Sequence, residues 1–233
     1  WGKTHIAINS KGARGPEVEY AKRSHVKRIL YLGDSVTFGF GLECVDAFPF
    51  HVGALLRETM SDTIETVNTG VNGYSAWQEY LYLSSEGFRY QPDIVVVSFV
   101  LNDVTESISL SRFGVFDDAW QLASPKKTKR TFLDDLSGKS NILYFIRLIG
   151  AKIRFGKNLQ EGARKTETIY VEQLSYSPDR PEVQEAWKVT FEDLGKIFNA
   201  CKEHHTPVIL VVFPFVFQFD NIEALSTPQR IVC

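Results

Sequence analysis

The chain has 233 residues, with 26 Lys+Arg against 28 Asp+Glu and a net charge of −2. At roughly 150 residues per domain this is one domain, or one domain carrying a large insertion, and it is long enough to bury a full core without staples. Hydrophobic residues at 44% and charged residues at 23% exclude a disordered chain, and the near-neutral charge balance excludes the electrostatic footprint of a nucleic-acid binder.

Residues 1–27 read as a lead-in. Residues 28–32 (Arg-Ile-Leu-Tyr-Leu) are a short apolar run closed by Gly33, which predicts a buried strand. Residues 47–60 place Phe48, Val52, Leu55, Leu56 and Met60 near helical spacing. Residues 63–67 are a second β-branched run, and 77–88 are again helix-like. Residues 93–100 (Asp-Ile-Val-Val-Val-Ser-Phe-Val) are apolar on both faces, which fits a parallel sheet covered by helices on both sides.

From 105 to about 180 this rhythm breaks, as in an insertion. Lys126, Lys127, Lys129 and Arg130 read as a solvated loop. Residues 141–155 read as an amphipathic helix, with Leu143, Ile146, Ile149 and Ile153 along one side and Ser140 as its N-cap. Residues 181–205 predict a long helix with Pro in its first turn. Residues 207–213 predict a parallel-type strand, and 221–233 begin something helical. The alternation predicts an α/β fold, a three-layer sandwich with a mostly parallel central sheet.

No run reaches the roughly 20 apolar residues of a membrane-spanning helix. The longest, 94–101 and 208–219, fall short, and the second contains Pro214. The chain opens on Trp1 with no basic-then-apolar start, so no signal peptide is read. Cys44, Cys201 and Cys233 have no metal-ligand spacing and, being three, make no disulfide framework; they read as buried or idle thiols.

Ligands of open parallel sheets bind beyond the carboxyl ends of the strands. Three segments with chemical potential fall there. Gly33-Asp34-Ser35-Val36-Thr37-Phe38-Gly39 presents a serine on a glycine-permitted turn, where a nucleophile would stand. Asn68-Thr69-Gly70-Val71-Asn72-Gly73-Tyr74-Ser75 has two glycines that let a main-chain N–H approach a ligand. Asn102-Asp103 follows the strand at 93–100, and an Asn amide offers the donors a developing oxyanion needs. Taken singly, these are a turn with an Asx-type cap, a plain loop and a strand-end cap. Taken together, at three strand ends of one sheet, they form a constellation. The first loop lacks the Gly-Lys-Ser/Thr of a phosphate loop and the Gly-x-Gly-x-x-Gly of dinucleotide binding. Nor is it a Gly-x-Ser-x-Gly elbow, because Thr37 takes the last place.

The pattern resembles the GDSL-like, or SGNH, hydrolase family over most of the chain. Gly33-Asp34-Ser35 resembles the first block, with Ser35 at the nucleophile's place; residues 68–73 resemble the second, with Gly73 at the oxyanion glycine; Asn102-Asp103 resembles the third, with Asn102 at the oxyanion asparagine. Residues 8–15 (Ile-Asn-Ser-Lys-Gly-Ala-Arg-Gly) resemble a lead-in found in many bacterial members. The resemblance implies a flavodoxin-like sandwich and a serine esterase or lipase. It implies a small-molecule or carbohydrate ester substrate, no metal or organic cofactor, and a lean toward action outside the cytoplasm. A carbohydrate O-acyltransferase, a non-catalytic binding member and a flavin-binding flavodoxin-like domain are the alternatives.

Two departures stand out. Val100 occupies the place where the third block usually has glycine. The fourth block, Asp-x-x-His, is missing: none of His5, His25, His51, His204 or His205 has Asp three residues before it. His204 and His205 precede the strand at 207–213 and His25 precedes that at 28–32, whereas Ser35 follows its own strand; in a parallel sheet these are opposite edges, roughly 20 Å apart against a hydrogen-bond reach of about 3 Å. Asp220 is a carboxylate near a strand end with no histidine to orient. The Trp start and the Cys end inside a helix are read as borders of a partial frame. The expectation is that the triad's histidine and aspartate follow Cys233, and that residues 1–233 alone are inactive. The insertion at 105–180 is expected to act as a lid that sets substrate size.

Overall fold

The computed structural model describes residues 4–60, 63–113, 115–116, 122–123 and 169–232. In chain order the elements are β1 (Val26–Gly33), α1 (Ser35–Phe38), α2 (Phe48–Thr59), β2 (Thr63–Asn68), α3 (Ala76–Ser85), β3 (Ile94–Val100), α4 (Leu101–Phe113), β4 (Val115–Phe116), β5 (Leu122–Ala123), α5 (Gln173–Tyr176), α6 (Pro181–Glu203), β6 (Val208–Phe213), α7 (Ile222–Leu225) and α8 (Thr227–Val232), with 3-10 turns at Cys44–Asp46, Gly87–Tyr90 and Val216–Phe219. Two compact units emerge, one of Trp1–Ile108 with Tyr170–Cys233, the other of Ser109–Ile169.

The first unit is built on a four-stranded sheet in the order β2-β1-β3-β6, with every pair parallel. Its strands are the apolar runs read in the sequence. Tyr31 of β1 pairs in register with Asn68 of β2 and with Val96 of β3, which aligns the carboxyl ends of the three strands. One face of the sheet, with Ile29, Tyr31, Ile64 and Val96, packs on Phe48 and Leu56 of α2. The other face carries Leu30, whose side chain lies with Leu83 of α3 around Gly87, and Phe99, whose ring is 6.2 Å from that of Trp187 on α6. Helices therefore cover both faces, and the α/β sandwich is the observed architecture.

The helices follow from their buried stripes. α6 buries Val183, Ala186, Trp187, Thr190, Leu194, Ile197 and Cys201 at three- and four-residue intervals. α2 keeps part of the expected face: Phe48 and Leu56 pack on the sheet together with Pro49 and Gly53, whereas Val52, Leu55 and, just past the helix, Met60 are exposed. Gly53 faces the Thr66 side chain at a distance that leaves no room for a Cβ, so backbone and not a bulky side chain seats this helix on β2. Cys44 is half-buried and Cys201 buried, both as free thiols; Cys233 lies outside the described residues. Burial pushes the Cys201 thiol up to about 11. Among the described residues no helix is long and apolar enough to cross a membrane.

In the second unit β4 and β5 pair antiparallel, Val115 with Ala123 and Phe116 with Leu122. The basic cluster at Lys126–Arg130 and the helix expected at 141–155, with the lid reading that rests on it, lie outside the described residues.

Candidate active site

The three motif segments leave the carboxyl ends of the neighbouring strands β2, β1 and β3. After β1 the chain turns into α1, a single helical turn. Asp34 caps it: its Oδ1 accepts the Val36 N–H at 2.8 Å. The cap predicted as the ordinary reading is thus present, and it does more. The other carboxylate oxygen of Asp34 accepts the Asn102 amide at 3.0 Å and the Ser35 hydroxyl at 3.4 Å. Asp34 is buried, while Ser35 and Asn102 above it are half-buried. One buried carboxylate therefore joins the first and third motifs.

Asn102 stands directly after its strand, as expected, but in a helix that the sequence reading did not foresee. β3 runs without interruption into α4, and Asn102 lies in its first turn. The Val100 N–H is taken by Asp103 Oδ2 at 2.9 Å, and the Thr105 and Ser107 hydroxyls donate to the Asn102 and Asp103 carbonyls at 2.9 and 2.7 Å. A stretch rich in Asn, Asp, Thr and Ser has weak helix propensity, and these side-chain bonds close the turn that propensity does not announce. Val100, at the usual glycine position, is the buried last residue of β3 in register with Phe213, an extended conformation open to any side chain.

The second motif is stitched to the first. The Thr69 N–H and hydroxyl both donate to the Tyr31 carbonyl, at 3.0 and 2.7 Å, and the Val71 N–H donates to the Gly33 carbonyl at 3.0 Å. The Asn68 amide donates to the Thr37 carbonyl at 2.7 Å, and its oxygen accepts the Gly70 N–H at 3.0 Å. Gly70 is forced by proximity: a Cβ there would meet the Thr37 side chain at 2.7 Å and press into the Phe38 backbone. Gly70→Ala is expected to destabilise the protein by about 1–3 kcal/mol, read as a lower urea midpoint, because the overpacked atom meets backbone that cannot move aside. Gly73 has φ +78° and is exposed. Among the described residues neither its N–H nor that of Ser35 donates a hydrogen bond. The structure brings Ser35 and Asn102 together on Asp34. Gly73, two residues past the bond that ties Val71 to Gly33, is hydrogen-bonded to neither.

Sequence reasoning missed the supports. Arg14, from the lead-in, is buried, and its guanidinium donates to the carbonyls of Phe38, Gly39 and Leu42, the backbone that follows Ser35. The Arg14 N–H donates to the Asn68 carbonyl at 2.9 Å, so one residue holds the first and second motifs from behind. A lone arginine flanked by glycine was the one available signal. Glu79 of α3 and Asp103 of α4 are buried. Burial, and then the charge of Asp34, raises the Glu79 carboxyl from its usual 4.5 to about 8. Burial, and then the charge of Glu79, raises Asp103 well above its usual range. Glu106 is raised as well, first by burial, against the pull of the Asn102 amide.

The histidines are elsewhere. His25 sits just before β1 and His205 before β6, at the opposite ends of their strands from the site. The His204 ring stacks on Phe88 at 3.7 Å, His51 is exposed on α2, and the His5 N–H donates to Glu43 at 2.9 Å. Asp220 is exposed after the turn at Val216–Phe219.

A parallel sheet with serine, glycine and asparagine motifs on three adjacent strand ends defines an α/β sandwich of the SGNH-hydrolase type. The sequence profile of the GDSL-like lipase/acylhydrolase family matches residues 31–229, and the chain belongs to that family. No curated protein is a significant match. Among solved structures, a two-domain esterase active on acetylated mannans is 20% identical with a TM-score of 0.32; the match covers 37% of this chain and 26% of that one, so the chain spans little of that esterase's length. An acetyl xylan esterase is 13% identical, with a TM-score of 0.37 and coverage of 88% and 83%. The SGNH-hydrolase family esterase AlinE4 is 13% identical, with a TM-score of 0.34 and coverage of 91% and 98%.

Proposed function

We propose that the protein is a carboxylic ester hydrolase that works by acyl transfer through Ser35. The observation that carries this reading is the single buried carboxylate of Asp34, which receives both Ser35 and Asn102. In this mechanism Ser35 Oγ attacks the ester carbonyl carbon and gives its proton to a general base. The alcohol leaves, and water then cleaves the acyl-serine. The oxyanion takes donors from the Ser35 and Gly73 N–H groups and from Asn102. An amide carries two N–H donors, so one can hold Asp34 while the second, which also acts on Glu106, turns to the oxyanion. The base belongs to the family's Asp-x-x-His block, a motif that residues 1–233 do not contain. The substrate is a small-molecule or carbohydrate ester, and a sugar hydroxyl in place of water would make the same site an O-acyltransferase.

The test uses the full-length natural protein and a fluorophosphonate serine probe. Labelling at Ser35 together with ester turnover is the expected result; an unlabelled protein would mean that this face only binds. Asn102→Ala is expected to lower kcat about a hundredfold to a thousandfold through loss of one oxyanion donor. Normal turnover in that variant would remove Asn102 from the mechanism.

A further inference from the structure

Ser35 opens a helix of only four residues, and a single turn has too few internal bonds to hold itself in place. Both ends of this turn are capped locally. At the front, Asp34 accepts the Val36 N–H at 2.8 Å. At the back, Gly39 takes the left-handed conformation at φ +74° and donates its N–H to the carbonyls of Ser35 and Val36, at 3.0 and 3.1 Å. The turn is thereby closed without help from the lead-in, yet Arg14 comes to it all the same. Arg14 is 2% exposed. Its Nη1 donates to the Phe38 carbonyl and, at 2.6 Å, to that of Gly39, and its Nη2 donates to that of Leu42. The guanidinium carbon lies 4.6 Å from the centre of the Phe38 ring.

A chain of bonds runs from this cation to the nucleophile. Gly39 gives its carbonyl to Arg14 and its N–H to the Ser35 carbonyl, and the Phe40 N–H donates to the same Ser35 carbonyl at 3.0 Å. A second line reaches the turn through β2: the Arg14 N–H donates to the Asn68 carbonyl at 2.9 Å, and the Asn68 amide donates to the Thr37 carbonyl at 2.7 Å. The fit is close, since a Cβ on Gly39 would stand 2.9 Å from Arg14 Nη1 and 2.6 Å from that of Ala47. Among the described residues the partners of the guanidinium are main-chain carbonyls and no carboxylate. A buried cation without a counter-ion is a costly way to close a loop, and a planar fork is the group that can meet three converging carbonyls at once. The lead-in is shaped to deliver it. The Asn9 side chain accepts the Lys11 and Ala13 N–H groups at 3.0 and 2.9 Å and donates to the Pro16 carbonyl at 3.1 Å. The Gly15 N–H donates to the Ala7 carbonyl at 3.0 Å.

We infer that Arg14 is a positioning residue for the nucleophile: by holding the carbonyls of Phe38, Gly39 and Leu42 it fixes where the Ser35 turn sits against the second motif, and with it the place of Ser35 Oγ. Arg14 binds backbone and acts through Ser35. Without the guanidinium the turn still forms, because its two caps remain, but it is free to shift. A displacement of about 1 Å at a reacting atom is worth about a hundredfold in rate. The consequence for turnover rests on the reading of Ser35 given above; the consequence for the turn does not.

Wild-type protein, Arg14→Ala and Arg14→Lys, all full length, are to be compared in ester turnover, fluorophosphonate labelling and amide hydrogen exchange. Arg14→Ala is expected to lose about a hundredfold in kcat and in labelling rate, with KM within about twofold of wild type. Arg14→Lys should lose about tenfold, because an ammonium keeps the charge but not the fork. Guanidinium ion at a low millimolar, non-denaturing concentration should raise kcat in Arg14→Ala and leave wild type unchanged, a rescue that a general loss of stability would not show. Exchange in Arg14→Ala should quicken at residues 36–42 and stay slow along β1 and β3. A wild-type kcat in Arg14→Ala, or a raised KM with kcat intact, would overturn the inference. So would exchange that quickens alike in the turn and in both strands, since Arg14 would then serve the fold as a whole. Should Arg14→Ala not fold, Arg14→Lys decides by the same readouts. A wild type that neither labels nor turns over an ester would sink the serine mechanism, and exchange at 36–42 would then decide by itself whether Arg14 holds the turn.

Discussion

Ser35→Ala in the full-length protein is expected to lower turnover of a chromogenic ester by at least about a thousandfold, with the melting temperature within a degree or so of wild type. The two halves of this expectation have separate causes. Turnover falls because no other nucleophile of the described site shares the Asp34 anchor with Asn102. The fold survives because the hydroxyl is half-buried and its one hydrogen bond, at 3.4 Å, is long. Asp34 keeps its bonds to Val36 and Asn102 in the variant. A steady-state assay beside a thermal melt separates lost chemistry from lost structure. Groups that act as a unit are not additive, so Ser35→Ala with Asn102→Ala is expected to be no slower than Ser35→Ala alone. A single variant that retains a tenth of wild-type turnover would remove Ser35 as the nucleophile.

Arg28→Met is expected to cost about 3–5 kcal/mol of stability, the largest structural effect foreseen for a single side chain here. Arg28 lies inside β1 and is 1% exposed. Its Nε and Nη2 donate to one oxygen of Glu65, at 3.1 and 2.6 Å, and its Nη1 donates to the carbonyls of Tyr20, at 3.0 Å, and Tyr90. The aliphatic replacement fills most of the volume but leaves two carbonyls and a carboxylate short of donors. Arg28→Lys keeps the charge and loses the planar fork, so it should fall between wild type and Met. Urea denaturation tests this through a lower midpoint at unchanged slope. A loss below about 1 kcal/mol would show that solvent reaches Glu65 and substitutes for the guanidinium.

β1, β3 and β6 were legible as apolar runs and β2 as a β-branched one, and the parallel sheet follows from the run at β3, apolar on both faces. Helix α2 was legible as a helix and in only part of its face, Phe48 and Leu56. Its periodic apolar residues Val52, Leu55 and Met60 face out, because a close approach at Gly53 seats it. Ser35, Gly73 and Asn102 were legible as motif residues at strand ends. The link between them was not. Asp34 meets Asn102 across 68 positions of chain, and Glu79 is a buried carboxyl on a helix whose pattern reads simply as helix-like. Arg14 was passed over for the same reason. Periodicity reports the neighbours along one element, whereas these contacts are made between elements.

The Arg14 clamp has a practical corollary for anyone who trims this gene for expression. The family match begins at residue 31, which would tempt a design to start there. Such a design would discard the first five of the eight residues of β1 and also the guanidinium that gathers the carbonyls of Phe38, Gly39 and Leu42. It would yield a serine loop without that support, so homology alone draws the N-terminal border of the candidate site too tightly.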